Sequence, residues 1–140
     1  MTTLISTIFV LGILVFVHEL GHFLVAKKSG IRVERFSLGF PPKMIGKKIG
    51  ETEYMISWLP LGGYVKLAGE NPDEITGQPW EFMSKPVLTR ALVILAGPTM
   101  NFLLAILFFW GIFFFAGQQK IQDDQTVIGV VSQGGPAEIA

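Results

Sequence analysis

The chain contains no cysteine, so disulfides and thiolate metal ligands are excluded. It has only two histidines, His18 and His22, and no net charge. A neutral chain gives no electrostatic case for nucleic-acid binding. Charge is missing locally as well. Between Thr3 and Ala26 the only titratable side chains are His18, Glu19 and His22, and between Ala91 and Ala116 there is none. No basic residue precedes the first apolar run and no small-residue cleavage site follows it, which argues for a retained helix over a cleaved signal peptide.

Half of the 140 residues are hydrophobic. A soluble domain of this size needs an apolar core but not unbroken apolar runs of this length. About 20 helical residues cross the hydrocarbon core of a bilayer. The sequence therefore predicts a mainly α-helical membrane protein with two transmembrane helices, residues 1–28 and 91–117. Ten of the eleven Lys and Arg residues lie between Lys27 and Arg90, the other being Lys120. The excess of cations in loops marks the cytoplasmic side. Residues 29–90 are thus expected in the cytoplasm, with the N-terminus and the segment after Gly117 outside, in a multi-pass protein of the plasma (inner) membrane.

The loop between the helices has its own pattern. Glu51, Glu53, Met55 and Ser57 alternate with Thr52, Tyr54, Ile56 and Trp58, and after Pro60-Leu61-Gly62-Gly63 comes Tyr64-Val65-Lys66-Leu67. Two strands joined by a turn at the Pro/Gly break are expected, with Ile31–Phe36 as a third. The result is a small membrane-associated sheet on the cytoplasmic side. Glu70 to Pro86 reads as a polar loop, with Trp80, Phe82 and Met83 as interface anchors. In the second helix Pro98 interrupts the hydrogen-bond ladder. Asn101 is either a packing and interhelical hydrogen-bonding residue or a functional group. Val127–Ser132 reads as a strand, followed by a helix start at Pro136.

His18-Glu19-Leu20-Gly21-His22 carries the chemistry. Residues four apart share a helix face, so the two imidazoles can bind one metal. Zinc takes nitrogen ligands, and a catalytic zinc keeps one position open for water. Glu19, next to the first ligand, is placed to act as general base, as in other His-Glu-x-x-His proteases. Ionisable groups inside an apolar span are costly without partners or a task, and three at this spacing point to metal chemistry. Two rival readings are a membrane scaffold without activity and a zinc protease whose site lies outside the bilayer. A sheet edge around Gly62, Gly63, Tyr64 and Val65 could pair with an unwound substrate segment.

The sequence resembles the site-2 protease family of intramembrane zinc metalloproteases, in its bacterial RseP-like branch. The matching motifs are His18-Glu19-Leu20-Gly21-His22, Phe36-Ser37-Leu38-Gly39-Phe40, Pro60-Leu61-Gly62-Gly63-Tyr64-Val65-Lys66 and Gly97-Pro98-Thr99-Met100-Asn101. They cover residues 1 to about 117, and Val127 to Ala140 resembles the beginning of a PDZ domain. The resemblance implies a zinc endopeptidase that cuts single-pass membrane proteins, such as an anti-sigma factor, within their span during regulated intramembrane proteolysis. It implies Zn2+ on His18 and His22, catalysis by Glu19, and a re-entrant β-hairpin containing Gly62–Tyr64. Substrate contacts are expected at Gly62, Gly63, Tyr64, Val65 and Asn101. The family's third zinc ligand is an aspartate in a Leu-Asp-Gly motif on a later helix, and no such motif occurs here. Asp73, Asp123 and Asp124 lie in polar loops. The expectation is a half-site in a truncated chain, with the third ligand beyond Ala140.

Overall fold

A computed structural model describes residues 1–117 of the chain. The expected PDZ start at 118–140 lies outside the described residues. The elements run α1 (Thr2–Lys28), β1 (Val33–Ile49), β2 (Thr52–Leu67), a short 3-10 turn (Pro72–Glu74) and α2 (Val87–Ala116). The chain divides into two units, Met1–Phe109 and Trp110–Ala140.

Helix α1 forms because nothing in 27 residues interrupts it: there is no proline. It stops at Gly30, whose φ of +65° is open to glycine at little cost. The Gly30 N–H then bonds the Lys27 carbonyl at 3.1 Å, and the Ile31 N–H bonds the Ala26 carbonyl at 2.9 Å. This is the Schellman pattern that satisfies the last carbonyls of a helix. It also turns Ile31 back onto Ala26. Both are buried and join Val33, Leu67 and Val93 in the core, with Phe23, Val25, Val65 and Phe82 packed around it. Burying an Ile or Val side chain contributes about 1.5–3 kcal/mol, so this cluster ties the end of α1, the root of the sheet and the start of α2 together.

The sheet is built from two long strands that change partners. Ile49 faces Thr52 across a two-residue turn at Gly50-Glu51, and Gly50 has φ +62°, as tight hairpins require. From there Lys43–Ile49 pairs with Thr52–Ser57. The first part of β1, Arg35–Leu38, sits between two neighbours: Glu53–Ile56 on one side and Gly63–Lys66 on the other. Four paired stretches result, with Gly63–Lys66 and Lys43–Ile49 on the outside. The chain reverses at the expected Pro/Gly break, inside β2: Glu53–Ile56 and Gly63–Lys66 flank Arg35–Leu38 running in opposite directions. A further turn, not anticipated, is at Gly50. Lys43–Ile49, not anticipated as a strand, belongs to the sheet through its pairing with Thr52–Ser57.

Helix α1 packs on this sheet through Phe16, Phe23, Phe36 and Tyr54. Phe23 lies 5.0 Å from Phe36 and 5.9 Å from Tyr54, centroid to centroid, and Phe16 meets Phe36 edge-on at 6.0 Å. Such tilted and edge-on pairs each add about 0.5–1.5 kcal/mol beyond burial. Elsewhere the helices leave their apolar side chains uncovered. Leu4, Phe9, Phe102 and Ile106 are all more than 60 % exposed. Both helices are long and apolar enough to cross a membrane, with only 6 % and 17 % of their apolar windows buried. A helix from the core of a soluble protein would be mostly covered. In the second unit, at the end of α2, Trp110 stacks on Phe114 at 5.3 Å.

The connection from the sheet to α2 is held by one carboxylate. Glu81 is 3 % exposed. It accepts hydrogen bonds from the Thr76 hydroxyl and from the backbone N–H groups of Thr76 and Gly77 at 3.0 Å each. Phe82, expected at the interface, instead packs on the core, and its N–H bonds the Ala68 carbonyl at 2.8 Å. The Thr76 hydroxyl, followed by these backbone donors, holds the Glu81 carboxyl below the usual glutamate range. A depressed folded-state pKa stabilises the loop above the unfolded value, and that stabilisation is lost as pH falls through the folded one. Hydrogen-exchange protection factors at Thr76 and Gly77 should hold steady down to about pH 5 and fall below it, whereas Glu81→Gln should lose protection at neutral pH.

Candidate active site

Helix α1 turns different residues towards α2 and towards the sheet. Gly21, His18 and His22 face α2. Glu19 is about 100° around the helix from His18 and meets the sheet. A Cβ at Gly21 would lie 2.5 Å from the Ala96 carbonyl oxygen and 2.8 Å from Met100 Cγ. Only a glycine lets the two helices approach this closely, so Gly21 sets the spacing that brings the imidazoles to α2.

Both imidazoles are held by α2 through Nδ1. His22 Nδ1 lies 2.7 Å from the Val93 carbonyl oxygen. A carbonyl only accepts, so Nδ1 carries the proton and Nε2 presents its lone pair. His18 Nδ1 lies 3.3 Å from Asn101 Nδ2. The rings sit 4.8 Å apart at 77°. Their Nε2 atoms converge on Gly97. A Cβ built there would be 2.4 Å from His22 Nε2 and 2.6 Å from His18 Nε2. Any side chain at Gly97 would overlap both nitrogens, so its bare α-carbon is what lets the two Nε2 atoms come together. Val93, Gly97 and Asn101 are successive fourth residues of α2, one face of the helix. Two Nε2 atoms brought together on the same side of α2, with both Nδ1 atoms occupied, are the donor set that zinc prefers. Among the described residues no cluster of three or more His, Cys, Asp or Glu side chains could hold a metal.

Glu19 sits where the sheet meets the helix. A Cβ at Gly63 would come within 3.3 Å of Glu19 Cγ and 2.8 Å of the Ser37 carbonyl oxygen, so bare backbone of β2 lies against the glutamate. A Cβ at Gly62 would strike the Phe40 ring at 2.3 Å. Beside them is a cavity of about 300 Å³ lined by Glu19, His22, Tyr64, Val65, Leu67, Glu70, Phe82, Val93 and Ile94. Gly63–Lys66 pairs with β1 on one side only among the described residues. The next outward group, the Leu67 N–H, reaches the Glu70 carboxylate at 3.3 Å. An unpaired strand edge therefore runs along a cavity that opens onto Glu19 and His22.

Of the residues singled out in the sequence, His18, Glu19, His22, Gly62, Gly63, Tyr64, Val65 and Asn101 all lie at or beside this site. Asn101 sits against the outer nitrogen of His18, on the side of the ring away from Gly97. Val93 and Gly97 were not foreseen as site residues. Val93 acts through its backbone and leaves no sequence signal. Gly97 could have been found, because it lies four residues before Asn101 on the same helix face.

The profile of peptidase family M50 matches residues 6–135. The chain belongs to this family. It is similar to the regulator of sigma-E protease RseP of Escherichia coli, 46 % identical over 114 residues, covering 79 % of this chain and 25 % of that protein. The regulator of sigma E protease of Haemophilus influenzae is 49 % identical over 116 residues, 79 % of this chain and 26 % of that protein. Protease RseP of Yersinia pestis is 41 % identical over 133 residues, 93 % of this chain and 29 % of that protein. The chain spans less than a third of the length of the curated relatives it matches.

The Gly97 gap makes a direct prediction. Gly97→Ala puts a methyl group into the space between the two Nε2 atoms. Alanine is the better helix former by about 0.8–1.0 kcal/mol, but forcing two hydrogen-bonded rings aside costs about 1–3 kcal/mol, so the apo protein should melt somewhat earlier than wild type while its bound zinc, read by metal analysis, falls to near zero.

Proposed function

We propose that this chain is the catalytic portion of a zinc metalloendopeptidase of the site-2 type that cleaves single-pass membrane proteins within their membrane span. The observation that carries this reading is the convergence of His18 and His22 Nε2 over Gly97, with Glu19 beside the adjoining cavity. Membership of family M50 supports the reaction class. The names of the relatives, regulators of sigma-E, support an anti-sigma factor as substrate type.

His18 and His22 hold Zn2+ in this reading, and a third protein ligand from outside the described residues completes the set. When bound, zinc polarises the scissile carbonyl and lowers the pKa of water. Glu19 takes a proton from the attacking water and delivers it to the leaving amine. Peptide bonds in a helix are shielded, so the substrate must be extended first. The edge at Gly62, Gly63, Tyr64 and Val65 pairs with it by strand addition. Asn101 is the remaining candidate for contact with substrate. Helices α1 and α2 cross the plasma (inner) membrane as parts of a multi-pass protein. Residues 29–90 lie on the cytoplasmic side, the N-terminus and the residues after Gly117 lie outside, and a PDZ domain begins in 118–140.

Glu19→Gln in the full-length protein should retain zinc and lower cleavage of a membrane-span reporter in cells by at least ~10²–10⁴-fold, the range for a general base. Undiminished cleavage would remove Glu19 from the mechanism. Proline placed in turn at Tyr64 and Val65 takes an N–H from the strand and should sharply reduce cleavage with zinc still bound. Full activity at both positions refutes edge pairing and leaves the metal site untouched.

A further inference from the structure

Asn101 lies in the second helix, away from the His-Glu-x-x-His motif, and meets a ring atom that the proposed chemistry does not use. Its amide has two orientations of the same shape, differing only in whether nitrogen or oxygen faces His18 Nδ1. With Nδ2 facing the ring at 3.3 Å, Nδ1 must accept. The proton of a neutral imidazole is then on Nε2 and points into the gap above Gly97, where it blocks a metal. In that orientation Asn101 Oδ1 is also buried with no hydrogen-bond partner. The opposite orientation puts Oδ1 on the ring and Nδ2 in that buried position. Nδ1 then carries the proton and donates it, and Nε2 presents a lone pair to the gap, just as His22 does under the Val93 carbonyl.

We propose that Asn101 is a positioning residue of the metal site, accepting a hydrogen bond from His18 Nδ1 through Oδ1 and so fixing the ring in the tautomer that binds metal through Nε2. The inference rests on the zinc reading of His18 and His22. It completes a symmetrical arrangement. One face of α2 supplies an oxygen acceptor to each ring, the Val93 carbonyl for His22 and the Asn101 amide for His18, and Gly97 between them leaves the space where the rings converge. Acceptors of this kind keep a metal-binding histidine in orientation and raise its basicity.

The test uses the full-length protein in detergent. Zinc affinity is read by competition with a chromophoric chelator, and fold by thermal melting of the zinc-free protein. Asn101→Leu keeps the bulk and removes the acceptor, so its zinc affinity should fall 10–100-fold with apo melting unchanged. Asn101→Asp keeps an oxygen facing Nδ1 and should bind zinc as wild type does. A space-filling role predicts the reverse ranking, because a buried carboxylate is the worse replacement for packing. Asn101→Ala adds no bulk and carries the same expectation as Asn101→Leu should that variant fail to fold. Wild-type affinity in Asn101→Leu or Asn101→Ala overturns the proposal. So does an Asn101→Asp loss as large as theirs, which would assign the nitrogen to the ring. A wild-type protein that binds no zinc overturns the zinc reading and this inference together, whereas intact zinc binding with an unresponsive Asn101 overturns this inference alone.

Discussion

The site depends on bare backbone at three contacts. At Gly21 the two helices meet so closely that a Cβ would overlap the Ala96 carbonyl. At Gly97 the same absence leaves a gap for two imidazole nitrogens, and at Gly63 it lets a strand lie on Glu19. The cost of polar groups in an apolar span makes this closeness necessary. His18 and His22 cannot satisfy their Nδ1 atoms from α1, whose backbone is consumed by its own ladder. Their partners come from α2, and α2 reaches them only because Gly21 lets it approach. Loss of that spacing would leave two unpartnered rings among apolar side chains.

Much of this was legible in the sequence, and what was missed has physical reasons. The long apolar runs and the four-residue spacing of the histidines are local signals, and each survives into the structure as a helix and a shared face. Pro60-Leu61-Gly62-Gly63 has turn composition, and the chain does reverse there as β2 crosses from one side of Arg35–Leu38 to the other. Gly62 also clears the Phe40 ring, so the same glycine serves a close approach that the sequence could not show. Lys43–Ile49 was hidden because it follows Pro41-Pro42, contains Gly46 and shows no period-two alternation of polar and apolar residues. The role of Val93 had no possible signal, since any residue has a carbonyl. The Glu81 clamp was equally silent, because only the folded loop brings Thr76 and Gly77 onto that carboxylate.

The open edge and the cavity beside it explain one another. Unpaired strand N–H and C=O groups are tolerated at membrane depth only against protein or a water-containing space. Gly63–Lys66 has such a space along its free side, lined by Glu19, His22 and Glu70 as well as by apolar Val65, Phe82 and Ile94. The opposite outer stretch, Lys43–Ile49, differs in kind. It carries Lys43, Lys47 and Lys48, and Lys43 pairs with Glu53. Charged side chains on an edge discourage strand addition. The two edges of this sheet are therefore unequal partners for an extended peptide. The Gly63–Lys66 edge carries a single charged side chain, Lys66 at its end, paired with Glu34 and Glu74; it borders the glutamate that the proposed reaction needs, and Glu70 already occupies the outward Leu67 N–H at its far end. An incoming strand would find free backbone groups from Gly63 to Lys66 and an occupied one at Leu67. In the proposed reaction, such a register would bring the peptide alongside Glu19, the general base of that proposal.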